Sequence, residues 1–527
     1  MKDRSIQLHF PRTILRHAAL LGGLLLANCG CTMALADDTG PEMGQGIQIG
    51  DLAPGKAVIW SRSDRDARMW VEYAFDPDFT DSHVVRGPHA LEGTDHTARQ
   101  DLVGLPEGQD VYVKVWFEDL TNSRAKSDPV YGRFHTIGKR DDIRFVWGGD
   151  TAGQGWGINP AFGGMKMYET MRQVEPQFFL HCGDNVYSDG PISEVVKDAS
   201  GNVIWTNIVT PEVAKVAETL GEFRGRYKYN LLDENVRRFN AEVPQIWQWD
   251  DHEVVNNWSD AKDLSADPRY TVKDVPLLVA RAGQAFHEYA PLRPYGAEES
   301  ERVYRKISYG PLLELFVLDM RNYRGPNTAN LQTEEGPETA FLGEAQVQWL
   351  QQGLKDSRAK WKVIAADMPI GLNIGDGTDA TGKPRWEAIA NGDPGAPKGR
   401  ELEMARLLSF LKKHRIKNTV WLTADVHYTA AHYYDPKQAA TTDFLPFWEF
   451  VSGPLNAGSF GPNRTDATFG PQVKFFKAPE PGQINLPPSA GLQFFGEVNI
   501  SRDDETLTVD LKDISGTSLF RKTLQAE

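Results

Sequence analysis

Phe145-Val-Trp-Gly-Gly-Asp150-Thr151 and Phe178-Phe-Leu-His-Cys-Gly-Asp184-Asn-Val-Tyr187 decide the fold. Each is a short apolar run of strand length that stops at glycine and then an acid. Between them Met165, Tyr168, Met171 and Val174 recur at helical spacing. Strand, helix and strand predict a parallel βαβ unit, in which ligands bind beyond the carboxyl ends of the strands. Gln245-Ile-Trp-Gln-Trp-Asp250-Asp251-His252-Glu253 and Thr419-Val-Trp-Leu-Thr-Ala-Asp425-Val-His427 repeat the pattern. Four such ends converging on one oxygen-rich pocket predict a two-metal hydrolase site.

Working outward, residues 143–470 alternate strands and helices, with helices expected at 212–240, 276–289, 343–356 and 400–413. The run Leu312–Asp319 is a further strand ending in an acid. Residues 371–400, rich in Gly, Asp and Pro, read as a long surface loop at the mouth of the site, and 492–523 as an antiparallel hairpin. Before residue 140 the pattern is short alternating strands, such as Asp110-Val-Tyr-Val-Lys-Val-Trp-Phe, which predict a β-sandwich module. The expected domains are a leader at 1–36, a sandwich at 44–138 and a catalytic α/β domain at 142–525.

The leader is read from Lys2, Arg4, Arg12 and Arg16 ahead of the apolar run 18–27, with Ala34-Leu35-Ala36 as an A-x-A cleavage site. Cleavage after Ala36 predicts a secreted or periplasmic protein, and lipid anchoring at Cys29 is the alternative. No later segment is apolar enough to span a bilayer. Removing residues 1–36 takes away four basic residues and Asp3, moving the formal charge from −15 to −18. So acidic a chain disfavours nucleic acid and anionic membranes as bulk partners. Cys182 would be the lone cysteine left, which excludes an intrachain disulfide.

Each candidate residue has a structural alternative. Asp150 and Asp184 together suit a hard cation, the structural alternative being that each merely caps a following helix. Tyr187 is either a buried structural tyrosine or, as tyrosinate, a ligand for a trivalent metal. In Trp249-Asp-Asp-His-Glu253, Asp251 is placed to ligate a second metal and His252 to face the substrate as proton donor; a solvated acidic turn is the alternative. Asp425-x-His427 puts both side chains on one face of an extended segment. Arg321 offers a guanidinium that grips phosphate bidentately, or else pairs with Asp319 to hold its loop. His181 and His432 are read as structural, and Cys182 as a small core residue.

Gly-Asp-x-x-Tyr, Trp-Asp-Asp-His-Glu-x-x-x-Asn, Leu-Asp-x-Arg-x-Tyr-Arg, Ala-Asp-Val-His and Phe450-Val-Ser-Gly-Pro-Leu455 resemble the PhoD-like alkaline phosphatases, within the wider metallophosphoesterase group. The resemblance implies a four-layer α/β/β/α catalytic domain behind an N-terminal sandwich, and hydrolysis of small phosphate esters at a site of Fe3+ with Ca2+. It implies Asp150, Asp184, Tyr187 and His427 as iron ligands, and Asp184 (bridging), Asp251 and Asp425 at the second metal. His252 falls at the substrate-facing position. The family's familiar members carry cysteine where this chain has Asp150, which makes Mn2+ or another divalent metal an alternative. Attack by a metal-bound hydroxide is the expected reaction. A phosphodiesterase or phospholipase D-type hydrolase on the same site is an alternative, as is a non-catalytic, metal-stabilised surface binding protein.

Overall fold

The computed structural model describes residues 39–139, 141–293, 299 and 301–527. The expected leader, its cleavage point after Ala36, and Cys29 and Cys31 lie outside these residues. Two large sheets form the centre. One runs in the order Ser518–Leu524, Leu507–Asp513, Phe494–Ile500, Ile143–Gly148, Phe178–Cys182, Gln245–Gln248, Ile47–Ala53, Lys56–Arg62, Thr97–Val103. The other runs Arg305–Tyr309, Leu313–Val317, Trp361–Ala365, Thr419–Thr423, Phe447–Val451, Thr429–Tyr434, Pro471–Lys477.

The strand sequences explain the layering. Phe145, Trp147, Phe178 and Leu180 point into a core shared with Leu313, Leu315, Val363 and Leu422 of the second sheet. The alternate residues Val146 and Phe179 face the helices Lys166–Arg172, Leu220–Asn230, Glu234–Glu242 and Val275–Tyr289. On the far side Phe316, Ile364 and Trp421 pack under the helices Glu344–Asp356 and Glu401–Lys413. Strands covered on both faces must be apolar throughout, which is why these runs lack alternation. The result is the four-layer α/β/β/α arrangement.

Three differences from expectation have physical causes. The helix expected over 212–240 is two helices, because Thr219 and Glu222 form a capping box at the start of one and Asp233 caps the other. The 371–400 segment holds a small hairpin, Gly375–Thr378 with Pro384–Trp386, and its Glu387 and Ala388 are buried. The N-terminal strands do not form a closed-off module. Met69, Val71, Val113 and Phe117 of a separate four-stranded sheet pack on Ile47, Ile49 and Ile59. Those last three belong to the nine-stranded sheet, which Ile47–Ala53 joins by pairing Gly50 with Gln245 in parallel. The boundary near residue 140 is a boundary in sequence pattern and not in hydrogen bonding.

Candidate metal centre

Six parallel strands end the same way. Gly148, Cys182, Gln248, Val317, Ala365 and Thr423 close their strands, and two residues later stand Asp150, Asp184, Asp250, Asp319, Asp367 and Asp425. Asp150, Asp184, Asp425 and His427 all have positive φ, at 68°, 51°, 65° and 59°. Aspartate tolerates this left-handed region better than most residues, at a cost of order 1 kcal/mol. Asp425 and His427 therefore leave their strand in a turn, and the extended segment expected for them is not formed. Two glycines are required by close approach. A Cβ on Gly183 would lie 2.4 Å from Asp250 Cβ, and one on Gly153 2.5 Å from the Tyr187 ring.

Asp150, Asp184 and His427 bring one donor atom each within 4.8 Å of one another, and so do Asp184, Asp251 and His252. Asp184 is common to both groups. Tyr187 hydroxyl lies 2.9 Å from His427 Nε2, and the Tyr187 ring packs against His252 with centroids 4.2 Å apart. Asp425 belongs to neither group but lines the same cleft, of about 590 Å³. Asp184, Tyr187, Asp251, Asp425 and His427 thus line one cleft, with Asp150 buried behind it beside Asp184 and His427 and with Asp425 standing apart from the tight clusters.

The residues fit a metal. Both carboxylate oxygens of Asp150, Oδ1 of Asp251 and Oδ2 of Asp425 are buried without a hydrogen-bond partner. Unpaired buried carboxylates are costly unless they are protonated or paired with a cation. Burial raises the carboxyl pKa of Asp150, Asp184 and Asp425 well above the usual range. At Asp251 burial is outweighed by His252 and Arg321, which hold it at about 2. Burial lowers His427 to about 4, keeping it neutral, and its Nδ1 donates to Gly458 O at 2.5 Å. That leaves Nε2 as the ligating nitrogen, the usual outer-sphere arrangement for a metal histidine. Burial, with Asp184 and Asp150 adding to it, pushes the Tyr187 phenol well up; a bound cation reverses that sign.

His252 is half-buried. Burial opposes its charge, but Asp189, Asp251 and Asp184 raise its pKa well above the usual histidine value. Its Nδ1 meets Asp189 Oδ1 at 2.6 Å, and Asp189 Oδ2 accepts from Asn256 N at 2.9 Å. Asp189 was not singled out in the sequence, although it stands two residues past Tyr187 in the same motif. Asn257, whose backbone N–H donates to Asp251, was likewise missed as a positioning residue.

Arg321 is a correction. Its side chain is 0% exposed and does not line the cleft. Nε donates to Asp250 Oδ1 at 2.6 Å and to Asp367 Oδ2 at 3.2 Å, and Nη1 to Glu387 Oε1 at 2.5 Å. Neither a phosphate grip nor a side-chain pair with Asp319 is formed; Asp319 accepts instead from Trp249 Nε1 and from the Arg321 backbone N–H. The guanidinium offsets part of the negative charge of the acids beneath the site. His181 and His432 are buried, as is Cys182.

The family model for PhoD-like phosphatases matches residues 145–511, and that for their N-terminal domain residues 30–138. The chain belongs to the PhoD-like phosphatase family. Among characterised members of the PhoD-like family, alkaline phosphatase D of Bacillus subtilis (strain 168) is 29% identical over 327 residues, 59% of this chain. The chain spans about half (52%) of that relative. A solved structure of PhoD superposes with a TM-score of 0.66 at 20% identity, covering 93% of each chain. A purple acid phosphatase from yellow lupin (Lupinus luteus) seeds gives 0.55 at 12% identity, over 92% of this chain and 74% of the other. These likenesses place the PhoD-like fold beside that of a purple acid phosphatase. No helix among the described residues is long and apolar enough to cross a membrane.

Proposed function

We propose that the chain is a secreted, metal-dependent phosphoric ester hydrolase acting on small phosphate esters. The observation that carries the reading is Asp184: it is shared by two donor groups, the second of which brings Asp251 and His252 to it, with His252 braced by Asp189 and Asp425 lining the same cleft. In this reading Asp150, Asp184, Tyr187 and His427 hold Fe3+, and Asp184, Asp251 and Asp425 hold Ca2+. Because Asp150 replaces the family's cysteine, Mn2+ is the alternative at the first position. Once bound, such a pair supplies Lewis-acid polarisation of the phosphoryl group and lowers the pKa of water.

The chain's own residues do the rest. The cleft receives the phosphate over Asp184 and between His252 and His427. As the P–O bond to the leaving group breaks, His252 passes the proton on Nε2 to the departing oxygen. Asp189 keeps Nδ1 protonated and the ring turned toward the cleft, as an orienting carboxylate does for any acid–base histidine. Arg321 stays beneath, balancing Asp250, Asp367 and Glu387. The test is metal analysis together with turnover of His252→Ala. Bound metal should hold at the wild-type level while hydrolysis falls about 10²–10⁴-fold. Unchanged turnover would remove His252 from the mechanism, and a wild-type protein that takes up no metal would remove the reading.

A further inference from the structure

Arg269 is the one lysine or arginine among the described residues that line the metal cleft, and it has no part in the chemistry above. It lies in the loop before the helix Val275–Tyr289, with its side chain 51% exposed. Asp267 takes the guanidinium along one edge: Nε donates to Oδ1 at 3.1 Å and Nη2 to Oδ2 at 2.7 Å. Nη1 donates to the Asp189 carbonyl at 3.2 Å, and the guanidinium carbon stands over the Tyr270 ring, 5.8 Å from its centroid. These contacts engage the Nε proton and one proton on each terminal nitrogen, which leaves a second proton on each for a ligand. A planar fork held in this way has given up most of its freedom before a ligand arrives, so little ordering cost remains.

The surroundings say what that ligand would be. The acidic lining residues are otherwise committed: Asp189 to His252, Glu387 to Arg321, and, in the reading above, Asp184, Asp251 and Asp425 to metal. Arg269 is not needed to hold Asp189 in place. The Ser188 backbone N–H donates to His252 O at 2.7 Å, Asn256 N–H to Asp189 Oδ2 at 2.9 Å, and the buried Arg226 to Gly190 O at 3.0 Å. Asp189 is the residue behind His252, and His252 is the donor to the departing oxygen. The guanidinium therefore stands on the leaving-group side of the cleft.

We propose that Arg269 is a specificity-determining residue that reads a second anion on the leaving group. The reacting phosphate sits over Asp184, and a carboxylate or further phosphate on the departing arm accepts the two remaining Arg269 protons. The inference rests on the phosphoesterase reading and deepens it: the favoured class is phosphate esters whose alcohol or phenol carries its own negative charge.

The test uses the metal-loaded full chain with phenyl phosphate and with 3- and 4-carboxyphenyl phosphate. A half-exposed guanidinium lies between a screened surface pair and a charge-assisted hydrogen bond, so kcat/KM for at least one carboxylated isomer should exceed that for phenyl phosphate by about five- to ten-fold. That preference should shrink as salt is raised from about 0.05 to 0.5 M. Arg269→Gln should abolish it. Arg269→Lys, which keeps the charge without the fork, should retain part of it and is the second variant should the first not fold. Calorimetric binding of 3- and 4-phosphonobenzoate against phenylphosphonate gives the same comparison without turnover. Equal kcat/KM for the three esters, or a preference that survives Arg269→Gln or is indifferent to salt, would overturn the assignment. A wild-type protein that hydrolyses no phosphoester but binds a phosphonobenzoate more tightly than phenylphosphonate would keep the Arg269 subsite and sink the phosphoesterase reading.

Discussion

His252 Nδ1 and Asp189 Oδ1 are 2.6 Å apart, and their two segments are also tied by the Ser188 backbone N–H, which donates to His252 O at 2.7 Å. Asp189 is the negative charge that does most to raise the histidine pKa. Asp189→Asn should leave the protein folded and metal-loaded while kcat falls about 10- to 100-fold. Because the acid form of His252 is the working one, loss of Asp189 lowers its pKa and moves the alkaline limb of kcat to lower pH. A pH–rate profile of the variant checks the sign; an unmoved alkaline limb would mean that Asp189 only fills space.

Tyr187 reaches both halves of the site through its hydroxyl and its ring. If the first metal is Fe3+, a tyrosinate ligand gives a broad visible absorption band. Tyr187→Phe should bleach that band while much of the iron stays bound by Asp150, Asp184 and His427. A colourless wild type containing manganese or calcium would assign the first position to a divalent ion.

Arg321 is expected to matter for stability more than for substrate affinity. Arg321→Met leaves Asp250, Asp367 and Glu387 without their shared cation. Breaking a buried pair from one side costs about 3–5 kcal/mol. Denaturant unfolding should show that loss. A variant of full stability with a raised KM would restore the phosphate-gripping role that the burial of Arg321 argues against.

Chelated protein should lose stability as pH rises. Asp150, Asp184 and Asp425 have folded pKa values raised above the unfolded one, so their protonated forms favour the fold most below about pH 4. Above that pH the unfolded chain ionises first, and stability falls until the folded values are passed. His252 adds the same slope above about pH 6.5, since its folded pKa is also raised. Metal binding neutralises the cluster, so melting curves between pH 5 and 9 should be steeply pH-dependent with chelator and nearly flat with metal.

The acids at the strand ends were legible because an apolar run cannot tolerate a charge, so each Asp marks where a strand stops. That reasoning picks out Asp150, Asp184, Asp251 and Asp425, and it applies equally to Asp367. Arg321 was misread because its partners, Asp250, Asp367 and Glu387, come from three separate elements, and no local pattern encodes their convergence. The turn at Asp425 and His427 was missed because left-handed φ at a non-glycine residue leaves no compositional trace. The sandwich was seen as a separate module because hydrophobic alternation reports one face of a sheet but not which strand lies at its edge.

The pairing of Gly50 with Gln245 also constrains the order of assembly. The segment Ile47–Ala53 is made early, yet the strand it leans on is completed only after nearly two hundred further residues. At ordinary synthesis rates of about 5–20 residues per second, that is an interval of roughly 10 to 40 s. Throughout it, the first strands present an unfinished edge to their surroundings. The strand-end acids closest to the N-terminus, Asp150 and Asp184, therefore follow strands of a sheet that is finished only when the C-terminal strands Phe494–Ile500, Leu507–Asp513 and Ser518–Leu524 are added.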